Sequence, residues 1–150
     1  MHVREGNFRK YGLSLFAAVL LLNLTGAAKA ETVFVANLDG LQTVPANTSA
    51  GKGFGIVTLN NAEDQITVAV RFSGLESNFS VMDIHTAGAV GQNGPTIFNL
   101  SVRGIPGTSR TSLQQTFQVT PQEVKQLRSG LCYFDIHSLG FPSGEIRGQI

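Results

Sequence analysis

Cysteine is almost absent from this sequence, since Cys132 is the single one among 150 residues. One cysteine cannot form a disulfide within the chain, so buried apolar surface must stabilise the fold in place of covalent cross-links. Cys132 falls on the apolar side of an alternating segment, which favours a buried, unreactive thiol. The same position disfavours a disulfide to a second chain.

A hydrophobic run long enough to span a membrane is also missing. The apolar stretch at residues 13–24 falls well short of the roughly 20 residues that a transmembrane helix needs. Three basic residues, Arg4, Arg9 and Lys10, precede it. A small-x-small cleavage site, Ala28-Lys29-Ala30, follows it. This pattern predicts a secretory signal peptide at residues 1–30 and a secreted or periplasmic domain at 31–150, with an uncleaved anchor as the alternative.

Neither sign of charge is in large excess. Residues 1–30 hold four of the 11 Lys+Arg and one of the 10 Asp+Glu, so residues 31–150 carry 7 positive and 9 negative groups, net −2 with neutral histidines. This balance argues against a nucleic-acid partner and against binding to an anionic membrane surface. The length suits one domain, with no stable membrane span after signal cleavage.

Sequence motifs of familiar catalytic sites are missing as well. There is no serine in a nucleophile elbow, no HExxH helix and no P-loop lysine. The glycines of Gly51-Lys52-Gly53-Phe54-Gly55 lack dinucleotide-binding spacing, and a turn or bulge accounts for them. We therefore predict that the protein is not an enzyme, with no catalytic and no cofactor-binding residues.

The mature segment is rich in short alternating runs separated by Gly, Pro and Asn. Such runs predict about eight short antiparallel strands. Thr120-Pro121-Gln122-Glu123 predicts one helix of about two turns, with an N-cap threonine, proline at the first helical position and glutamate three residues after the cap. The predicted fold is all-β: a single β-sandwich or a flattened Greek-key-like barrel with one short helix.

The tripeptide Asp-Ile-His occurs twice, each time on a predicted strand. Residues 75–85 align without gaps with residues 127–137, and the alignment ends in Asp83-Ile-His85 and Asp135-Ile-His137. Positions i and i+2 of a strand share a face, so each aspartate projects beside its histidine. If the two strands are neighbours, two imidazoles and two carboxylates gather on one sheet face.

The last twenty residues, 131–150, have the pattern of a β-hairpin. Cys132 and Ile136 fall on its apolar face. If the loop closes so that His137 faces Glu145, then Asp135 faces Arg147, and the polar face holds two complementary pairs. We interpret Glu145 and Arg147 as a structural polar cluster on a charge-paired strand. A recognition site is the second interpretation.

Two interpretations of the Asp-Ile-His pair remain open. Imidazole and carboxylate together form a first coordination shell for zinc or copper, which makes Asp83, His85, Asp135 and His137 candidate metal ligands. A carboxylate beside a histidine is also how a sheet satisfies partly buried polar groups. The metal-free interpretation is the one we adopt, with no cofactor, and a zinc or copper site is the alternative.

With these residues in view, the chain resembles the CHRD domain, the repeat found in chordin and in single-domain bacterial exported proteins. The family's Leu-x-Gly-x-Gln…Val-Pro segment is matched by Leu38, Gly40, Gln42, Val44 and Pro45. Its C-terminal signature is matched by Tyr133, His137 and Phe141-Pro-Ser-Gly-Glu-Ile-Arg-Gly-Gln149. The resemblance spans nearly all of residues 32–150 and implies a β-rich domain outside the cytoplasm.

This sequence departs from the family pattern in the middle motif, where Asp83 replaces the first histidine of His-Ile-His. Aspartate can ligate a metal, but the imidazole-rich character that copper favours is reduced. The resemblance does not imply growth-factor binding, because the chordin repeats lie apart from its cysteine-rich modules. We predict an exported, non-catalytic binding or structural module whose partner is an unidentified extracellular protein or polymer. The alternative is a zinc or copper protein, redox-active or not.

Overall fold

The computed structural model describes residues 30–100 and 111–150, so the predicted signal peptide lies outside the described residues. Within them the chain forms eight strands, one 3-10 turn at Gly40–Gln42 and one α-helix. The strands are β1 (Thr32–Asp39), β2 (Lys52–Leu59), β3 (Gln65–Ser73), β4 (Phe79–His85), β5 (Thr96–Asn99), β6 (Thr111–Gln118), β7 (Tyr133–Ser138) and β8 (Ile146–Gln149), and the helix is α1 (Pro121–Arg128).

The eight strands form one antiparallel sheet in the order β5-β4-β7-β8-β1-β2-β3-β6. Its two edge strands approach each other, since the rings of Phe98 in β5 and Phe117 in β6 lie 4.7 Å apart between centroids. The sheet is therefore nearly closed. The all-β prediction is confirmed, and the single curved sheet corresponds to its flattened-barrel form.

The alternation of the strands decides which face is buried. In β3 the residues Ile66, Val68, Val70 and Phe72 point inward and are at most 4% exposed, while the residues between them are partly or fully exposed. A period of two on a pleated strand produces this separation directly.

Helix α1 has the predicted start. The Thr120 hydroxyl accepts a hydrogen bond from the Glu123 N–H, and the Glu123 carboxylate accepts one from the Thr120 N–H. Val124 and Leu127 face the core from one side of the helix. Among the described residues, no helix has the length and hydropathy needed to cross a membrane.

Cys132, just before β7, belongs to the core and is 2% exposed. Burial raises the pKa of its thiol, and the hydrogen bond to Thr86 opposes this only in part. A neutral, buried thiol is a poor nucleophile, as the apolar side of its segment predicted.

Candidate metal centre

The two Asp-Ile-His tripeptides lie side by side in the sheet. Strands β4 and β7 pair so that Asp83 is opposite Asp135 and His85 is opposite Tyr133. His137 lies two residues beyond Asp135, on the same face. The apolar residues between these positions fill the core. Strands β4 and β7 are therefore neighbours, which the sequence alone had left undecided.

Three metal-ligating side chains converge at this place. One ligand atom each from Asp83, His85 and His137 lie within 4.8 Å of one another. Nε2 of His137 is 3.5 Å from Oδ2 of Asp83. The same nitrogen is 3.9 Å from Oδ2 of Asp135, which flanks the converging set of three without belonging to it.

Both imidazole rings are held by main-chain carbonyls. Nδ1 of His85 is 2.8 Å from the carbonyl oxygen of Gly94, and Nδ1 of His137 is 3.0 Å from that of Pro142. A carbonyl oxygen only accepts, so each Nδ1 carries the proton and donates it. Each neutral ring therefore keeps its lone pair on Nε2, which is how metal-binding histidines are usually oriented.

Several polar atoms of the cluster are buried and unpartnered. In the part of the chain that the structure describes, Asp83 Oδ1, Asp135 Oδ1 and His137 Nε2 have no hydrogen-bond partner. Both aspartates are only 6% exposed. Leaving a buried donor or acceptor unsatisfied costs about 1–3 kcal/mol, so these three atoms are available to a ligand that binds in the cluster.

Burial and charge act in opposite directions on the pKa values of the cluster. Burial raises the pKa of Asp135, and the charges of His137, His85 and Arg147 only partly oppose it. For His137, burial lowers the pKa, but the contacts with Asp83 and Asp135 outweigh it and the pKa is raised. Asp135 and His137 therefore bind protons more tightly here than they would in isolation.

Two imidazole nitrogens and a carboxylate oxygen are a common donor set for zinc. Because Zn–N and Zn–O bonds are about 2.0–2.2 Å long, tetrahedral ligand atoms on one ion are about 3.3–3.5 Å apart. The contact of 3.5 Å between His137 and Asp83 already has this spacing. The three ligand atoms lie within 4.8 Å of one another, so the wider pairs of the set would have to draw closer to share one ion. Asp135, whose Oδ2 is 3.9 Å from Nε2 of His137, lies beside the set.

Glu145 does not belong to this cluster, although the sequence placed it opposite His137. Its carboxylate accepts hydrogen bonds from the hydroxyl of Ser49 at 2.6 Å, from the N–H of Glu76 at 2.6 Å and from the hydroxyl of Ser138. The side chain is fully buried. Glu145 precedes β8, and its carboxylate is directed toward Ser138, the neighbour of His137. It therefore joins three segments of the chain instead of pairing with His137.

Arg147 does lie opposite Asp135, as the hairpin register predicted. It is 1% exposed, and its guanidinium lies 3.5 Å above the ring centroid of Tyr133. Burial lowers its pKa. Tyr133 in turn stacks on His85, with ring centroids 4.7 Å apart and planes 8° from parallel.

The sequence interpretation missed the groups that orient the imidazoles. Gly94 and Pro142 act through carbonyl oxygens, which carry no residue-type signal. Tyr133 could have been found, because it lies two residues before Asp135 and so shares its face. Its contact with His85 depends on the pairing of β4 with β7, which only the fold reveals.

Comparison with known proteins agrees with this architecture. The family model for the CHRD domain matches residues 34–150, more than three quarters of the chain. No curated protein and no solved structure matches it. CHRD domains are typically extracellular, and at the family level the match supports a binding or structural module. The chain belongs to the CHRD domain family.

Proposed function

We propose that the mature domain is an exported, non-catalytic binding module whose ligand is a transition-metal ion, zinc in the first place and copper in the second. The ion is held by Asp83, His85 and His137. The observation that carries the proposal is the convergence of these three donor groups within 4.8 Å, together with buried polar atoms that lack partners. Export rests on the pattern of residues 1–30.

The donor set favours zinc on chemical grounds. Imidazole suits both zinc and copper, whereas a carboxylate among only two imidazoles is a harder set than copper prefers. Most sites built from nitrogen and oxygen ligands nevertheless bind Cu²⁺ more tightly than Zn²⁺, so both ions belong in the test.

The second candidate is a metal-free module in which the same residues form an ion-paired cluster. One observation favours it: Nε2 of His137 lies 3.5 Å and 3.9 Å from two carboxylates, a place where an imidazolium is stabilised. In that case the ligand of the module is an extracellular protein or polymer, and the cluster serves stability alone.

The composition of the domain provides an internal reporter for the test. Tyr133 is the one tyrosine of residues 31–150, and the chain has no tryptophan. Because Tyr133 stacks on His85, a Cu²⁺ ion on this imidazole would quench the tyrosine fluorescence, whereas Zn²⁺ would not. His85 and His137 are the only histidines of the domain, so any imidazole coordination signal arises at this site.

The deciding experiment is a metal titration of the exported protein. The full chain is expressed with its leader, purified without a metal-binding tag, and titrated with Zn²⁺ and Cu²⁺ while metal content is measured by mass spectrometry. We expect one ion per chain in the wild type and none in His85→Ala or His137→Ala. Asp83→Asn should also reduce uptake, and Asp64→Asn, a change of an exposed aspartate elsewhere, is its matched control. No uptake by the folded wild type would leave the metal-free module as the answer.

A further inference from the structure

The loop of residues 86–95 is hydrogen-bonded to side chains of β7 and β8 and supplies the carbonyl that orients His85. We infer that the buried Arg147, which donates hydrogen bonds to Ala89, Asn93 and Gln149, positions His85 for metal binding by holding this loop in place. The inference rests on the proposed function and identifies a residue on which its metal affinity depends.

Arg147 binds the loop at two points. One guanidinium nitrogen donates to Oδ1 of Asn93 at 3.3 Å, and the other donates to the carbonyl oxygen of Ala89 at 3.2 Å. The second nitrogen also donates to Oε1 of Gln149 at 3.1 Å. The amide of Gln149 then donates to the carbonyl oxygen of Gly88 at 2.8 Å, so two adjacent outward side chains of β8 bind three loop residues.

Tyr133 joins Arg147 to the end of the loop. The guanidinium lies on its ring, and its hydroxyl oxygen accepts a hydrogen bond from the N–H of Gly94 at 3.0 Å. Gly94 is the residue whose carbonyl oxygen accepts from Nδ1 of His85. A side chain at Gly94 would overlap the carbonyl oxygen of Thr86, so the loop closes tightly there.

The physical argument is one of orientation. An imidazole without a fixed partner exchanges its proton between Nδ1 and Nε2, and only the form protonated at Nδ1 offers a lone pair at Nε2. Groups that fix the tautomer of a metal-binding histidine change metal affinity by about 10- to 100-fold when they are removed. Arg147 acts less directly, since it holds the loop that carries this carbonyl.

The test uses Arg147→Lys, which keeps the charge but loses the planar fork, and Asn93→Ala, an exposed change that removes the contact with Arg147 and the hydrogen bond of the Asn93 amide to the carbonyl oxygen of Val44. Arg71→Lys is the matched control, because Arg71 also lies over an aromatic ring, that of Phe54, but far from the loop in the sheet order. The full chain is expressed and its exported form is examined metal-free by nitrogen NMR of the imidazole rings at pH 8, and then by Zn²⁺ titration.

In the wild type and in Arg71→Lys we expect both histidines to be protonated at Nδ1. In Arg147→Lys we expect His85 to gain the form protonated at Nε2 while His137 is unchanged, with Zn²⁺ binding about 10-fold weaker. Asn93→Ala should change the tautomer of His85 and the Zn²⁺ affinity in the same direction as Arg147→Lys, but by a smaller amount. A purely structural role of Arg147 would lower the melting temperature without changing the tautomer of His85.

The two proposals fail separately. If the folded wild type binds no Zn²⁺ or Cu²⁺, the proposed function is wrong, and the role assigned to Arg147 in metal binding falls with it. If the wild type binds Zn²⁺ and folded Arg147→Lys keeps both the tautomer of His85 and the affinity, the positioning role is wrong and the metal site stands.

Discussion

The two histidines of the domain are fixed by groups that do not titrate. Main-chain carbonyls of Gly94 and Pro142 hold Nδ1 of His85 and of His137, whatever the pH. Their Nε2 atoms therefore carry the lone pair without a change of tautomer, as the proposed metal site requires. A ligand set that is oriented in advance loses little conformational freedom on binding, which increases affinity.

The ionised carboxylate of Asp135 destabilises the folded, metal-free domain. Its pKa is raised, so the folded state favours the protonated form. The stability from this group is therefore present at pH values below the ordinary aspartate pKa of about 3.9 and is lost as the pH rises through the raised pKa. We predict that Asp135→Asn stabilises the metal-free domain by about 1 kcal/mol at pH 8, measured by urea unfolding.

The control for this prediction is Asp64→Asn, which is exposed and should leave the unfolding midpoint unchanged. The difference between Asp135→Asn and the wild type should also shrink as the pH approaches the ordinary aspartate range. A loss of stability in Asp135→Asn at pH 8 would show that the ionised carboxylate is satisfied in solution and would contradict the predicted cost.

Helix α1 depends on its first turn, because eight residues are too few for a stable isolated helix. The reciprocal hydrogen bonds between Thr120 and Glu123 satisfy two N–H groups that the helix leaves free. We predict that Thr120→Ala lowers the free energy of unfolding by about 1 kcal/mol, measured by urea unfolding. Gln122→Ala, exposed in the same turn, should change it by a few tenths at most.

Strand β2 makes room for an aromatic ring of β7. A Cβ at Gly55 would overlap the side chain of Phe134, which is fully buried. We predict that Gly55→Ala costs about 1–3 kcal/mol of stability, because the ring must leave its preferred position.

The matched test is the double variant Gly55→Ala with Phe134→Leu. If the overlap is the cause, the double variant should lose less stability than the sum of the two single changes. Additive losses would mean that Gly55 acts through the strand backbone instead of through Phe134.

In the whole molecule, the proposed metal binding would be coupled to folding through the position of β7. This strand lies between β4 and β8, so both Asp-Ile-His segments and Arg147 meet only when the sheet is assembled. A ligand that binds only the folded state stabilises it by about 2.7 kcal/mol at 100 times its dissociation constant. We predict this gain for the wild type in Zn²⁺, measured by urea unfolding.

The variant His137→Ala should unfold at the same urea concentration with and without Zn²⁺. A gain in the variant equal to that of the wild type would place the bound metal elsewhere on the protein.

Much of the architecture follows from local sequence features, because alternation, turn residues and helix caps act between neighbours in the chain. They predict the all-β fold, helix α1 and the pairs Asp83 with His85 and Asp135 with His137. The pairing of Asp135 with Arg147 was predicted on the condition that the hairpin loop closes with His137 opposite Glu145, and the structure has the register that this condition requires.

The assembly of the site is decided by tertiary structure. Residues 83–85 and 135–137 are far apart in the chain, and only the order of strands places β4 beside β7. The rotation of Glu145 toward Ser138 and the support of His85 by Gly94 depend on loops packed against distant strands. Sequence alone determined which ligating groups exist, whereas long-range packing decided which of them meet, because contacts between distant segments leave no periodic pattern in either one.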